Sequence, residues 1–324
     1  MHKIVVTGGA GFIGSHIVDM LLEKYKEYEI HVFDNLNYAA DIRNIQGKDI
    51  FLHRGDVSDF DHCIDLLDNA NIVIHAAAES HVDHSFTNSR IFTTVNTVGT
   101  HNLLEAAKIH KVGLFIHIST DEVYGENTDP EYSHHENTTL NPANPYSASK
   151  AAAEMIIKGY IKSFDLPIIT LRPNNMYGTR QFPEKLIPKS ISSLLQNQKI
   201  PIHGKGLSTR CYTSVYDFCS ALDIVIQKGV LGNTYNIGIE TEYRTVDVAK
   251  KICEILNKDW TNSINYITDR LYNDKSYNVD VQKIRKLGWT PKYELLHDLP
   301  ELINWYTDNQ SRYLKFIESI NKGD

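Results

Sequence analysis

"TGGAGFIGSH", residues 7–16, decides how this chain folds. The run before it, "KIVV" (3–6), is continuous and β-branched, as a buried strand is. The residues after it, 12–25, have helical spacing. A strand that turns through glycines into a helix can seat a pyrophosphate. The glycines let the chain turn tightly and approach the anion, and the helix start offers free N–H groups. Gly9, Gly11 and Gly14 fit G-x-G-x-x-G, while Gly8, Gly11 and Gly14 fit G-x-x-G-x-x-G; both spacings stay open.

The rest of the first half keeps that rhythm. Apolar runs at 3–7, 29–34, 50–56, 71–77, 114–120 and 167–173 read as strands. Helical patterns lie near 12–25, 58–68, 89–111 and 146–164. Continuous Val/Ile runs separated by helices predict an α/β fold, a Rossmann-type doubly wound parallel sheet. After residue 173 the rhythm breaks. Loops rich in Pro, Gly and Asn separate helices near 183–197, 216–228, 245–257 and 298–318. This predicts two parts: 1–173, an NAD-binding domain, and 174–324, a smaller α+β substrate domain. A segment near 213–240 returns to the sheet through "YNIG" (235–238).

Asp34 closes the second strand, twenty residues after Gly14. Its carboxylate suits a ribose 2′-hydroxyl and repels a 2′-phosphate, and no Arg follows at 35 or 36, so NAD is expected over NADP. The expected cofactor-binding set is Gly8, Gly11, Phe12, Ile13, Gly14, Asp34, Asn35, Asp56, Val57, Ala76, Ala77, Tyr146 and Lys150. Asp56 reads equally as an adenine contact or a helix cap.

Composition narrows the rest. The chain has 324 residues, 42% hydrophobic, with a formal net charge of −7. Nothing in that balance calls for nucleic acid or an anionic membrane. Cys63, Cys211, Cys219 and Cys253 form no CxxC pair and read as reduced thiols. No metal site is expected. His81 and His84 lack the carboxylate or cysteine set that would complete one. The short apolar run at the start is neither a signal peptide nor a membrane span, so a cytoplasmic protein is expected, in which the sequons at Asn137 and Asn309 carry no sugar.

"NPYSASKAAAE" (144–154) starts a helix with Pro145 in its first turn, which puts Tyr146 and Lys150 one turn apart on one face. A phenol normally titrates near pH ~10. A nearby ammonium and a positive nicotinamide ring favour the phenolate, a usable base for a sugar hydroxyl. Together with the glycine turn and the two-part plan, this pair resembles the extended short-chain dehydrogenase/reductase family over nearly the whole chain.

"STDEVYG" (119–125) narrows the resemblance. Adjacent acids at the end of a buried strand suit a dehydration, which needs one group to remove a proton and another to protonate the leaving hydroxyl. Two close carboxyls push each other's titration apart, as acid–base pairs require. The stretch resembles the nucleotide-sugar 4,6-dehydratases, closest to those acting on dTDP-glucose and UDP-glucose. That resemblance implies Thr120 at the sugar near O4, Asp121 as the acid at C6 and Glu122 as the base at C5. "RPNNMYGTRQFPEKLIPK" (172–189) and "PIHGKGLSTRCY" (201–212) resemble the family's substrate segments. They imply Asn175, Lys185, Leu186 through its backbone, Arg210 and Arg270 around a sugar diphosphate. "AAAESHVDHS" (76–85) adds Ser80 and Asp83 beneath the sugar.

Two positions depart from the dTDP-glucose enzymes. Met176 stands for an asparagine that meets the cofactor, and Asn273 for a histidine. Shared phrases favour a UDP-hexose over a dTDP-hexose. The implied activity is an NAD-dependent UDP-hexose 4,6-dehydratase (a lyase) acting on UDP-glucose or UDP-N-acetylglucosamine. The alternatives are added C5 epimerisation, a dTDP-glucose 4,6-dehydratase, a nucleotide-sugar 4-epimerase, or a non-catalytic dinucleotide-binding sensor. The resemblance also implies a homodimer paired through the helices near 89–111 and 146–164.

Overall fold

The apolar runs become seven parallel strands. In a computed structural model, which describes residues 2–129 and 131–314, these are β1 (His2–Thr7), β2 (Tyr28–Asp34), β3 (Phe51–Arg54), β4 (Ile72–His75), β5 (Leu114–Ile118), β6 (Ile168–Pro173) and, later in the chain, β10 (Thr234–Ile237). Their order is β10-β6-β5-β4-β1-β2-β3. The order reverses direction between β1 and β4, the point at which a doubly wound sheet opens a crevice at its carboxyl ends. Alternation along each strand fills two cores. Ile4, Val6, Ile74 and Ile116 pack with Ile17, Leu21 and Phe218 on one face. Val5, Val73 and Phe115 pack with Leu103, Leu104 and Ile157 on the other.

The sheet matches expectation, including the return of "YNIG", whose Asn236 aligns with Arg172. The second half holds more strands than its sequence announces. β7 (Asn175–Tyr177), β9 (Thr209–Ser214) and β11 (Glu242–Arg244) form a three-stranded sheet, and β8 (Ile200–His203) pairs with β12 (Ile264–Ile267). A separate apolar cluster joins them to the helices Leu186–Leu195, Thr245–Ile255 and Leu295–Asp308.

Two helices differ from expectation. The one expected over 89–111 is interrupted by π-helical turns at Thr93–Val98. They leave Asn96 buried, with its amide bonded to both backbone groups of Glu79 and to Ser149 Oγ, each at 2.9 Å. The helix expected over 298–318 runs Leu295–Asp308, and residues 315–318 lie outside the described residues. All four cysteines are buried and free. Among the described residues no helix is long and apolar enough to cross a membrane.

A buried charged network holds the middle of the molecule. Arg172 on β6 and Glu154 on the helix Pro145–Phe164 are 1% and 2% exposed. Arg172 Nε lies 2.9 Å from Glu154 Oε1, and its Nη2 lies 2.5 Å from Oε2. Ser119 Oγ donates to the same carboxylate at 2.6 Å. Arg172 Nη1 donates to the Tyr124 hydroxyl at 2.6 Å, and that hydroxyl donates to Asn236 on β10 at 2.7 Å. Removing one partner strands a buried charge, which typically costs ~3–5 kcal/mol. Glu154→Ala is therefore expected to lower unfolding stability by about that much, and adding Arg172→Met is expected to recover most of it. Denaturant titration checks both; a loss below ~1 kcal/mol in the single variant would show that the pair is no brace.

Candidate active site

The glycine turn explains its own spacing. Gly8 has φ +70°, and a side chain there would press on the backbone of Ala77 at 2.8 Å. At Gly14 a Cβ would overlap the Gly8 carbonyl. Gly9 instead packs on Val32, away from the cleft, so Gly8, Gly11 and Gly14 form the working set. The helix Phe12–Lys24 starts with no side-chain cap, which leaves its first N–H groups for a ligand.

That turn floors one end of a cleft of about 390 Å³ at the carboxyl ends of the strands. Every residue of the expected cofactor-binding, catalytic and substrate-binding sets lines it. At the cofactor end lie Gly8, Gly11, Phe12, Ile13, Gly14, Asp34, Asn35, Asp56, Val57, Ala76 and Ala77; at the far end lie Ser80, Asp83, Asn175, Lys185, Leu186, Arg210, Arg270 and Asn273. Thr120, Asp121, Glu122, Tyr146 and Lys150 sit between. Asp34 accepts the Ala10 and Leu36 amides at 2.9 and 2.8 Å, and burial pushes its carboxyl above the usual range. Asp56 is not the cap of the helix that follows, which is Asp59; it accepts Ser58 N–H at 2.8 Å and faces the cleft. Met176 lines the cleft as well. Among the described residues no His, Cys, Asp or Glu cluster could hold a metal.

The helix bearing Tyr146 is set by a capping box. Asn144 Oδ1 accepts Ser147 N–H at 2.9 Å, Ser147 Oγ accepts Asn144 N–H at 3.2 Å, and Pro145 opens the helix. Asn144 also donates from Nδ2 to Glu122 Oε2 at 3.3 Å, so the cap aims one of the two acids.

The acids have unlike surroundings. Asp121 is buried, 2% exposed, and burial pushes its pKa up to about 7. The neighbouring Glu122 adds to the rise, while Asn174 Nδ2, donating at 2.8 Å, opposes it. Glu122 is raised too, first by burial, but Arg210 and Lys185 pull its carboxyl back toward the charged form. Burial, more than mutual repulsion, thus moves both groups.

Tyr146 departs from expectation. Burial, then the Glu122 charge, push its phenol above the ordinary range, against a hydrogen bond with Thr120. Lys150 does not offset this. Its ammonium donates to the Ile118 carbonyl at 2.7 Å, and burial brings its pKa down to about 8. The Tyr–Lys pair alone therefore leaves the phenol protonated.

The far end is cationic, with its charges held in place. Arg270 Nε lies 2.6 Å from Asp83 Oδ1. Against the upward push of burial, His81 and Arg270 keep Asp83 well below the usual carboxylate range. Lys185 donates to the Ser80 carbonyl at 2.6 Å. Sequence reasoning missed Asn144 and Asn174, although each adjoins a residue it named. It also missed His203, which faces Asp83 at 3.7 Å.

A pyrophosphate turn, a ribose acid and a buried Tyr/Lys pair at the switch point of a doubly wound sheet define an NAD-using enzyme. Known proteins agree. Residues 5–301 match the family model described as GDP-mannose 4,6 dehydratase. The trifunctional UDP-glucose 4,6-dehydratase/UDP-4-keto-6-deoxy-D-glucose 3,5-epimerase/UDP-4-keto-L-rhamnose-reductase of Arabidopsis thaliana is 43% identical over 315 residues, 95% of this chain and 47% of that protein. This chain thus spans about half the length of that relative. The dTDP-D-glucose 4,6-dehydratase of Dictyostelium discoideum is 40% identical, covering 99% of this chain and 86% of that one. A crystal structure of dTDP-glucose 4,6-dehydratase from Streptomyces venezuelae, with NAD bound, superposes with a TM-score of 0.92 at 34% identity, over 95% of this chain and 98% of that one. The chain belongs to the nucleotide-sugar 4,6-dehydratase family of extended short-chain dehydrogenase/reductases.

Gly11 tests the cofactor end. A Cβ there meets only the Gly8 carbonyl, at 3.3 Å, and otherwise points into the cleft. Gly11→Ala is expected to weaken NAD binding at least tenfold, or ~1.4 kcal/mol, with a nearly unchanged melting temperature. Calorimetric titration with NAD checks it.

Proposed function

We propose that this protein is a nucleotide-sugar 4,6-dehydratase that converts a pyrimidine-nucleotide hexose, by preference a UDP-hexose, to its 4-keto-6-deoxy form. The observation that carries this is the unlike surroundings of Asp121 and Glu122 just past the end of β5, one under Asn174 and the other facing Arg210 and Lys185. When bound, NAD accepts the hydride from C4 and returns it to C6, and its positive nicotinamide ring favours the Tyr146 phenolate.

Tyr146 takes the proton from the C4 hydroxyl, with Thr120 holding the phenol in line. The resulting ketone acidifies the C5 proton. Glu122, kept toward its charged form by Arg210 and Lys185, removes that proton. Asp121, neutral below about pH 7, protonates the departing C6 hydroxyl. When the hydride reaches C6, Glu122 gives its proton back to C5. Arg210, Arg270, Lys185, Asn175 and Asn273 face the diphosphate, and the Leu186 backbone and Ser80 complete its seat. Asp83 keeps Arg270 aimed. The division of labour proposed is residues 1–173 with the return strand for NAD, and 174–324 for the nucleotide sugar.

The base preference rests on the higher identity to the UDP-glucose enzyme, 43% against 40% for the dTDP-glucose relative. UDP-glucose, UDP-N-acetylglucosamine and dTDP-glucose assayed in parallel test it. The product mass should fall by one water; unchanged mass would indicate a 4-epimerase instead. A homodimer and a cytoplasmic setting belong to the same proposal. The homodimer is supported by a set of large apolar side chains, Val98, Ile109, Met155 and Phe164, each 44–55% exposed on the two helices expected to pair.

Two outcomes are expected for the acids. Glu122→Gln should still oxidise C4 yet block elimination, so that reduced cofactor absorbing at 340 nm accumulates with bound ketosugar; normal product release would refute the base assignment. In the native enzyme elimination should slow as pH rises through about 7, because the neutral donor is lost. Asp121→Asn should remove that alkaline limb and lower kcat by ~10²–10⁴, as a pH–rate profile would show.

A further inference from the structure

The loop 36–40 has a cavity on each side. One is the cofactor end of the cleft; the other encloses about 320 Å³, and Tyr38, Ala39, Ala40 and Phe182 belong to both. The proposed reaction does not use the second cavity.

Its lining is unusual for a chain of net charge −7. Arg43, Arg180 and Arg312 all reach it. Arg43 forks onto Asp41, with Nε 2.8 Å from Oδ1 and Nη2 2.7 Å from Oδ2. Arg312 Nη1 donates to Asn44 Oδ1 at 2.8 Å and lies 3.6 Å from Asp41. Arg180 Nη1 lies 2.7 Å from Asp19, and Lys48 pairs with the same Asp19. Four cations thus share two carboxylates, which leaves two positive charges unmatched within the group. Arg180 Nε and Nη2, Arg43 Nη1 and Arg312 Nη2 have no hydrogen bond among the described residues.

Two further observations agree. Leu36 (φ 57°) and Arg180 (φ 66°) both line this cavity in the left-handed region, which residues with side chains enter only where the surroundings force them. Phe182 and Tyr313 form an aromatic wall, their ring centres 6.1 Å apart.

We propose that this cavity is a second binding site, for a phosphomonoester whose organic part is a flat ring. Guanidinium forks match phosphoryl oxygens, and the ring lies against Tyr313. The size falls within the range of small-molecule sites, ~300–1,000 Å³.

The test uses the full chain saturated with NAD, titrated calorimetrically at fixed ionic strength with phenyl phosphate and, in parallel, inorganic phosphate. One saturable site is expected, at least threefold tighter for phenyl phosphate. Arg312→Gln and Arg43→Gln, both outside the catalytic cleft, should each weaken binding about tenfold and leave turnover unchanged. Absence of saturable binding, or both variants binding like the native chain, would overturn the site. Equal affinity for the two probes would overturn its ring half. Because binding is read without turnover, the result is independent of the proposed reaction.

Discussion

The ion pair between Glu154 and Arg172 fixes the geometry on which the site depends. Two charges are expensive to take out of water, and they persist only where good geometry and further hydrogen bonds compensate. Here the compensation comes from the pieces that carry the chemistry. Ser119 and Tyr124 flank the Thr120–Asp121–Glu122 turn, and both bond into the pair. Glu154 stands one turn beyond Lys150 and two beyond Tyr146 on the same helix face. Anchoring Glu154 therefore sets the rotation of that helix and aims the phenol and ammonium into the cleft. Asn174, two residues past Arg172, meets Asp121 from the other side.

On that frame the two acids become unlike through position alone. Asp121 is turned inward under Asn174, while Glu122 faces the arginine and lysine of the second half. Those cations come from segments far along the chain, so the charge on Glu122 depends on the packing of the second half. The same packing gathers the charges that would meet a diphosphate.

Sequence reading worked where information is local. Continuous Val/Ile-rich runs gave the inner strands β1, β4, β5 and β6, because a sheet buried on both faces needs uninterrupted apolar residues; the edge strand β3 is largely exposed and followed from the strand–helix rhythm. Motif spacing located the cleft residues because each sits at a strand end or first helical turn. Short strands such as β7 and β11 carry polar residues and owe their pairing to distant partners, so nothing in their own composition announces them. The same is true of Asn174, whose partner lies 53 positions away. The raised phenol of Tyr146 was invisible for another reason. Burial exists only in three dimensions, and it outweighs the nearby lysine. Two glycine spacings fit the sequence equally well; only the contact of Gly9 with Val32 separates them.

The late strand β10 has a consequence for how the chain is made. It pairs with β6, yet about sixty residues separate Pro173 from Thr234. During translation β6 therefore waits as a bare edge with unpaired backbone groups, the kind of surface that captures stray strands. Asn236 closes that edge and joins the Tyr124 hydroxyl in the same step. The nascent polypeptide is thus most exposed to misassembly between the emergence of residues 173 and 234, and the hazard ends only once those sixty or so residues have followed.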